Sequence, residues 1–215
     1  MRGGGSLPDP LLDVVSEEVE GGGETLTVIR PSDWAELRHQ EGAEGRSAPY
    51  WAIVWPSGLV LADALADRDL TGLRVLELGC GLAIPSLVAA RRGASVLATD
   101  GSPDAVVFAA HNLALNELEG EVAQADWRSA EALLEGAPWD LVLASDVLYL
   151  RHNVDALLRL LPKLTGDSGE ALVSDPSRAG GREFVAAAKR IFSLETRHDP
   201  ALKQVALHSL RPRGR

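Results

Sequence analysis

The feature that most constrains the fold is a glycine-rich turn that joins a short apolar run to a helix. Residues 75–85 read VLELGCGLAIP, and a second apolar run ends at Asp100. From about Leu73 onward, short aliphatic runs alternate with stretches of helical pattern, which is typical of a parallel sheet covered by helices on both faces. The sequence therefore predicts an α/β protein with a Rossmann-like, doubly wound and mostly parallel sheet.

Seven strands are predicted, over residues 74–78, 95–99, 121–125, 141–145, 171–174, 193–197 and 204–210. Two helix starts between them carry recognisable signals. Pro85 stands where the first helical turn tolerates a missing N–H, and Ser102 offers an N-cap hydroxyl just before Pro103. A later helix is predicted over residues 183–192, after a loop at residues 179–181.

The first fifty residues are rich in Gly, Glu and Pro and contain one strand-like run, at residues 25–30. We expect residues 1–46 to form an N-terminal extension and residues 47–215 to form the ligand-binding domain. The apolar runs are far shorter than the roughly 20 residues that a membrane-spanning helix needs, and the N-terminus lacks the apolar core of a signal peptide. We expect a cytoplasmic protein with no membrane partner, and the oligomeric state stays open.

Charge and cysteine content exclude several kinds of site. A net charge of -10 argues against general binding to nucleic acid, because that mode depends on basic patches. Cys80 is the only cysteine, and the five histidines offer no pair at metal-ligand spacing. We expect no metal and no nucleic-acid partner.

Asp100 and the turn define a candidate ligand site. Ligands of doubly wound sheets bind beyond the carboxyl ends of the strands, and glycines let a ligand approach the backbone closely. The Asp100 carboxylate can accept both ribose hydroxyls of a nucleoside. A dinucleotide site prefers G-x-G-x-x-G or a final Ala, whereas Ile84 and Pro85 stand here. Glu77 favours a ligand with a positive sulfonium and ammonium; the dinucleotide, and a turn that binds nothing, stay as alternatives.

On these residues the chain resembles the class I, seven-β-strand methyltransferases, and within them the lysine methyltransferase and nicotinamide N-methyltransferase-like group. The resemblance covers about residues 47–210 and implies an antiparallel C-terminal strand, S-adenosyl-L-methionine as cofactor and S-adenosyl-L-homocysteine as product. It assigns cofactor binding to the turn and to the end of the second strand, at Glu77, Gly79, Cys80, Gly81, Asp100 and Gly101. Ala83 departs from the pattern, since many relatives have a third glycine there.

Three further segments add cofactor-binding residues by the same resemblance. Trp55, in the aromatic run at residues 49–58, would line the pocket with a flat apolar wall that also attracts a sulfonium cation. Asp126 and Trp127 would meet the adenine amino group and ring, and Ser145 ends the fourth strand beside the site. Plain core packing is the alternative for Trp55.

Asp146 and Tyr149 resemble the family's D-x-x-Y motif at the mouth between cofactor and acceptor. The resemblance implies that Asp146 steers an acceptor amine and that Tyr149 shields the transferring methyl group, so both are the candidate catalytic residues. Capping of the next helix is the alternative for Asp146. Residues 175–178 (DPSR) resemble the Asp-Pro-Gly-Arg stretch of the electron-transfer-flavoprotein lysine methyltransferases, with Ser177 in place of the glycine.

The resemblance therefore implies methyl transfer from S-adenosylmethionine to an amine nitrogen, such as that of a protein lysine. N- or O-methylation of a small metabolite is the alternative, so the acceptor is a protein or a small molecule. A protein that binds the cofactor without transferring its methyl group is a third possibility, and measurable turnover with an acceptor distinguishes it from the other two.

Overall fold

The computed structural model describes residues 13–45 and 48–213. Its elements in chain order are β1 Val14–Gly21, β2 Glu24–Pro31, α1 Trp34–Ala43, α2 Pro56–Asp63, β3 Arg74–Leu78, α3 Ile84–Arg91, β4 Ser95–Asp100, α4 Pro103–Leu115, β5 Glu121–Gln124, α5 Glu131–Glu135, β6 Leu141–Ser145, α6 Arg151–Thr165, β7 Glu170–Asp175, α7 Ala179–Ala188, β8 Phe192–His198 and β9 Ala206–Pro212. Within these described ranges, no helix is long and apolar enough to cross a membrane. The predicted boundary between residues 46 and 47 lies outside them.

Seven strands form one mixed sheet in the order β5-β4-β3-β6-β7-β9-β8. Strands β3 to β7 are parallel, and β9 runs antiparallel to both of its neighbours, β7 and β8. The chain moves outward from β3 to β5 and then returns to β6 on the other side of β3. The predicted fold class is therefore confirmed, and its topological switch point lies between β3 and β6, where ligands of such sheets bind.

Alternating side chains of the central strands enter two apolar layers, one on each face of the sheet. On β3, Val75 packs into the layer that includes α2 and α3, whereas Leu76 and Leu78 pack into the layer that includes α6 and α7. All three side chains are fully buried. Burial on both faces is what near-continuous aliphatic strands predict, and it fixes the strand ends that carry the candidate site.

The predicted helix starts of α3 and α4 are present, but α7 begins earlier than predicted. It starts at Ala179, so Gly180 and Gly181 lie inside the helix instead of in a loop, and Phe192 begins β8. A Cβ on Gly180 would collide with the Leu148 carbonyl oxygen, and one on Gly181 with the Asp175 carboxylate. These glycines therefore allow close packing against neighbouring backbone, which outweighs their low helix propensity.

Residues 13–45 contain a hairpin and a helix where the sequence predicted a single strand. Strand β1 pairs antiparallel with β2 along its whole length. Val19, Leu26 and Val28 are buried in the same apolar layer as α2 and α3. Strand β1 alternates between exposed and more buried positions, but its acidic residues make this pattern hard to recognise in the sequence, so the strand was not predicted. The hairpin thus packs on the core that supports the sheet.

Candidate ligand site at the carboxyl edge of the sheet

The turn after β3 is built from two glycines in the left-handed region, Gly79 at φ 70° and Gly81 at φ 52°. A Cβ on Gly79 would lie 2.9 Å from Val147 Cγ1, and one on Gly81 would lie 3.0 Å from the Trp51 carbonyl oxygen. Side chains at these positions would be strained and crowded. The turn therefore presents bare backbone between the loop after β6 and the aromatic segment before α2.

Asp100, at the end of β4, is held against this turn by backbone N–H groups. Its Oδ2 accepts a hydrogen bond from Gly81 N at 3.0 Å, and its Oδ1 accepts one from Ser102 N at 2.9 Å. Burial raises the pKa of the carboxyl, and these N–H donors oppose that rise. The predicted meeting of Asp100 and the turn is therefore present, while ribose binding stays a prediction.

The Glu77 carboxyl lies in the interior and joins β3 to the first turn of α3. Its Oε2 accepts hydrogen bonds from Ser86 N at 3.0 Å and Ser86 Oγ at 2.5 Å. Its Oε1 is buried and has no hydrogen-bond partner among the described residues. Burial raises the pKa of this carboxyl to about 8. Oε1 is thus the atom that a ligand ammonium would have to reach for the predicted contact.

Cys80 has a structural position in the turn. Its thiol is buried, and burial raises the thiol pKa well above its usual range. Its backbone N donates to Thr99 O at 2.9 Å, beside the bond from Gly79 N to the same oxygen at 2.8 Å. A protonated, buried thiol is a poor nucleophile, so Cys80 can contribute to ligand binding only through its backbone and its small size.

Asp126 and Trp127, both predicted to contact the adenine, have different surroundings in the structure. The Trp127 indole lies beside the turn, because a Cβ on Gly79 would be 3.5 Å from Trp127 Cζ2. Asp126 is exposed and pairs with Arg128, Nη2 to Oδ2 at 2.7 Å, and this bond lowers the Asp126 pKa. Gly101 is exposed, and its carbonyl accepts from Gln124 Nε2 at 3.0 Å. Trp127 therefore adjoins the turn directly, while the Asp126 carboxylate is engaged with Arg128.

Aromatic side chains cluster around Tyr50 near the mouth of the site. Its ring centroid lies 5.6 Å from that of Tyr149, 6.1 Å from that of Trp55 and 6.3 Å from that of Trp34. Trp55 Nε1 donates to the Tyr50 carbonyl at 2.8 Å. Tyr50 is 41% exposed and Tyr149 46% exposed. Trp34 lies in the predicted extension and had no sequence signal as a site residue; its ring contact with Tyr50 and the bond from its Nε1 to Pro49 O, at 3.1 Å, link it to the aromatic segment.

Asp146, directly after β6, is held by side chains from two distant segments. Its Oδ2 accepts from Ser57 Oγ at 3.2 Å, and its Oδ1 pairs with Arg178 Nη1. The Asp146 backbone adopts a left-handed φ of 56°. A Cβ on Gly58 would lie 3.7 Å from Ser145 Oγ, so the start of α2 adjoins the end of β6. Ser57 belongs to no motif that marks it in the sequence, whereas the DPSR segment marks Arg178.

Asp175 at the end of β7 holds the backbone of Arg178. Arg178 N donates to Asp175 Oδ2 at 2.8 Å, while Asp175 Oδ1 is buried with no hydrogen-bond partner in the described part of the chain. Burial raises the pKa of Asp175. Ser177, which lies between Asp175 and Arg178, adopts a left-handed φ of 60°. Glycine adopts this conformation more easily than serine does, and the related motif has glycine at this position. The DPSR segment therefore places a guanidinium on Asp146.

The strand order, with β9 antiparallel between β7 and β8, is that of the class I methyltransferase fold. The fold matches that of a T. Thermophilus 16S rRNA N2 G1207 methyltransferase solved with AdoMet and guanosine, at TM-score 0.71 and 19% identity, over 95% of this chain and 52% of that one. The chain belongs to the lysine methyltransferase family, whose family model matches residues 35–190. The family match thus begins inside α1, before the predicted domain start at residue 47.

Two relatives have names that describe their substrates. The chain is 36% identical to the electron transfer flavoprotein beta subunit lysine methyltransferase of Danio rerio over 135 residues, which cover 61% of this chain and 51% of the relative. It is 31% identical to the protein N-lysine methyltransferase METTL21A of Danio rerio over 165 residues, covering 73% and 75%. The match thus spans about half the length of the first relative.

Proposed function

We propose that the protein is an S-adenosylmethionine-dependent methyltransferase that transfers a methyl group to the amine nitrogen of a protein lysine. The observation that carries the proposal is the bond between Asp100 and Gly81 N at the switch point of the sheet. Family membership and the protein-lysine relatives support the same activity. These relatives give no support to the alternative of a small-molecule acceptor.

The residues at the carboxyl edge fit the cofactor. Gly79 and Gly81 allow the left-handed turn to pack closely against Val147 and the Trp51 carbonyl, which holds the turn beside Asp100. Asp100 offers carboxylate oxygens to a ribose, Trp127 offers an aromatic wall beside the turn, and Glu77 has a buried oxygen without a partner. When bound, S-adenosylmethionine would supply a methyl group on a positively charged sulfur. We propose that these residues hold it, with Cys80 contributing backbone only.

On the acceptor side, the lysine ammonium would first lose a proton to solvent, and Asp146 would then accept a hydrogen bond from the neutral amine and orient its lone pair. The methyl group would pass from sulfur to nitrogen, with S-adenosylhomocysteine as the leaving group. Ser57 and Arg178 hold the carboxylate in place, so it does not have to be ordered when the acceptor arrives. Burial, with Asp100 nearby, raises the pKa of Tyr149, so its phenol stays neutral at physiological pH. Tyr50 and Tyr149 would exclude water around the acceptor. Positioning of this kind can supply roughly 7–11 kcal/mol of a reaction barrier.

A labelling experiment tests both the reaction and the acceptor class. The protein is incubated with radiolabelled S-adenosylmethionine and a cell lysate, and label is followed into protein, RNA and small-molecule fractions. The Asp146→Ala variant is run as a matched control. We expect label in one or few protein bands, at lysine by mass spectrometry, and little with the variant. Label confined to the small-molecule or RNA fraction would contradict a protein acceptor, and no label in any fraction would contradict methyl transfer.

The roles of Trp55, Asp126, Gly101 and Ser145 in cofactor binding remain predictions. For Asp126 to reach an adenine amino group, its carboxylate would have to leave or share Arg128. A cytoplasmic location and the absence of nucleic-acid partners also remain predictions. An Asp126→Ala variant, which removes the acceptor, with unchanged affinity for S-adenosylhomocysteine would remove that residue from the site.

A further inference from the structure

Asn112 on α4 and Asn116, directly after the end of α4, bind the outer backbone edge of the N-terminal hairpin. Asn116 Oδ1 accepts from Thr27 N at 3.0 Å, and its Nδ2 donates to Thr27 O at 2.7 Å. Asn112 Oδ1 accepts from Ile29 N at 2.8 Å, and its Nδ2 donates to Ile29 O at 3.3 Å. Two side-chain amides, one helical turn apart, thus occupy the place of a third strand beside β2.

Asn112 makes a further bond that Asn116 does not share. Its Nδ2 also donates to the Leu82 carbonyl at 3.1 Å, whereas Asn116 Nδ2 donates back to Asn112 O of α4, at 2.8 Å. Leu82 follows Gly81, whose N–H binds Asp100. Asn112 is fully buried. One buried amide therefore joins the hairpin to the turn that the proposed cofactor would contact.

The Leu82 carbonyl lies in a part of the turn that needs support. Gly81 and Ala83 on either side of it are both left-handed, at φ 52° and 65°. A left-handed alanine is unfavourable, and so is a buried carbonyl without a hydrogen bond. The Asn112 amide thus stabilises the turn in the conformation that brings Gly81 N to Asp100.

Other contacts hold the hairpin tip independently of the asparagines. Gly22 N donates to Asp63 Oδ1 at 2.7 Å, and Arg92 Nη2 donates to Gly22 O at 3.0 Å. Arg92 also pairs with Glu24 at 3.1 Å. Removal of one asparagine therefore weakens the docking of β2 along α4 while the tip stays attached to α2 and α3.

We propose that Asn112 is a positioning residue that couples the docking of the N-terminal hairpin to the affinity of the glycine-rich turn for its ligand. The inference rests on the proposed function, because the ligand is taken to be S-adenosylmethionine or its product. Docking of the hairpin then contributes to the free energy of cofactor binding, although Asn112 itself does not touch the cofactor.

The test compares S-adenosylhomocysteine binding by the full-length protein and by Asn112→Ala and Asn116→Ala, using isothermal titration calorimetry. Both variants should unfold at a lower temperature, because each loses two bonds to the hairpin. Asn112→Ala should bind about fivefold more weakly or worse, and Asn116→Ala should stay within about twofold of the unsubstituted protein. An unchanged Asn112→Ala affinity, or equal losses in both variants, would overturn the inference.

A measurement on the unsubstituted protein keeps the test decisive should Asn112→Ala fail to fold. Coupling is reciprocal, so the ligand must stabilise the hairpin through Asn112 as much as the hairpin stabilises the ligand. Adding S-adenosylhomocysteine should slow hydrogen exchange at the Ile29 amide, which donates to Asn112, more than at the Thr27 amide, which donates to Asn116. Equal slowing, or none, contradicts the coupling.

Different results would contradict the proposed function and the coupling through Asn112. Absence of S-adenosylhomocysteine binding by the unsubstituted protein would overturn the proposed function and this inference together. Binding by the unsubstituted protein with no difference between the two asparagine positions would overturn the coupling alone.

Discussion

Asp100 ends β4 and Asp146 follows β6, so both lie at the carboxyl edge of the parallel strands, but different kinds of group hold them. Backbone N–H groups of Gly81 and Ser102 hold the Asp100 carboxylate. Side chains of Ser57 and Arg178 hold the Asp146 carboxylate. The cofactor half of the candidate site is thus made by local backbone geometry, and the acceptor half by side chains from three segments far apart in sequence.

Because the two halves are built differently, they should differ in the substitutions that they tolerate. A backbone-built site tolerates many side-chain substitutions, provided that the glycines and the strand-end acid remain. A site built from side chains can be altered by one substitution in any of its segments, which suits a region that selects different acceptors.

The largest expected effect is on the acceptor side. Asp146→Ala should lower turnover by about 100-fold, because misplacement of the acceptor amine alone costs that much, while affinity for S-adenosylhomocysteine stays within about twofold. Steady-state kinetics and calorimetry on the same preparations measure the two effects. Asp155→Ala, which removes an exposed carboxylate on α6, is the control with unchanged turnover. A fully active Asp146→Ala enzyme would remove this residue from the mechanism.

The next effect is on the cofactor side. Asp100→Ala should weaken S-adenosylhomocysteine binding by more than about tenfold, since charged hydrogen bonds contribute roughly 1.5–3 kcal/mol each. Asp199→Ala is a matched control, because Asp199 follows a strand and likewise accepts from two backbone N–H groups, Ala201 N at 2.9 Å and Leu202 N at 2.7 Å. It should lose comparable stability without losing affinity. Equal affinities for all three proteins would show that ribose binding lies elsewhere.

The free energy of unfolding of the protein should depend on pH through Glu77. Its pKa is raised from 4.5 to about 8 in the folded protein, so the folded state binds the proton more tightly. The stabilisation is complete below pH 4.5 and is lost as pH rises towards 8, with a total on the order of a few kcal/mol. Urea unfolding at pH 6.5 to 8 should show a falling free energy that Glu77→Gln flattens.

Below pH 6.5, protonation of His208 would add a second pH dependence to the free energy of unfolding. Burial lowers the pKa of His208 from 6.5 to about 4, so its contribution to stability is lost as pH falls below 6.5, the opposite sign to that of Glu77. Parallel curves for the unsubstituted protein and Glu77→Gln would mean that Glu77 is ionised in the fold.

The smallest effects concern two left-handed residues that stand where the resembled family patterns have glycine, Ala83 beside the turn and Ser177 beside Arg178. Ser177→Gly should stabilise the protein by about 1 kcal/mol or less, because it relieves the backbone at the loss of one exposed bond to Gln204 O. Ala83→Gly should gain less, since it also removes a buried methyl group. Urea denaturation measures both, and destabilisation by Ser177→Gly would contradict the strain argument.

The sequence predicted the meeting of the glycine-rich turn with Asp100 because the determinants of the strands and the turn are local, while cofactor binding there stays a prediction. Aliphatic strands, glycines and a strand-end acid each mark their own position, and parallel strand ends must meet at one edge. The start of α7 was predicted four residues late, because helix propensity does not register the close packing of Gly180 and Gly181. Ser57 and Asn112 carry no local signal, since their partners lie in distant segments.

The most direct test of the account is a calorimetric comparison of S-adenosylhomocysteine with NAD as ligands of the unsubstituted protein. The geometry of Asp100, Gly79 and Gly81, with Ile84 and Pro85 closing the turn, predicts saturable binding of S-adenosylhomocysteine at one site per chain and no competition by NAD. Binding of NAD in its place, or no binding of S-adenosylhomocysteine, would contradict the assignment of this edge of the sheet to a methyl donor.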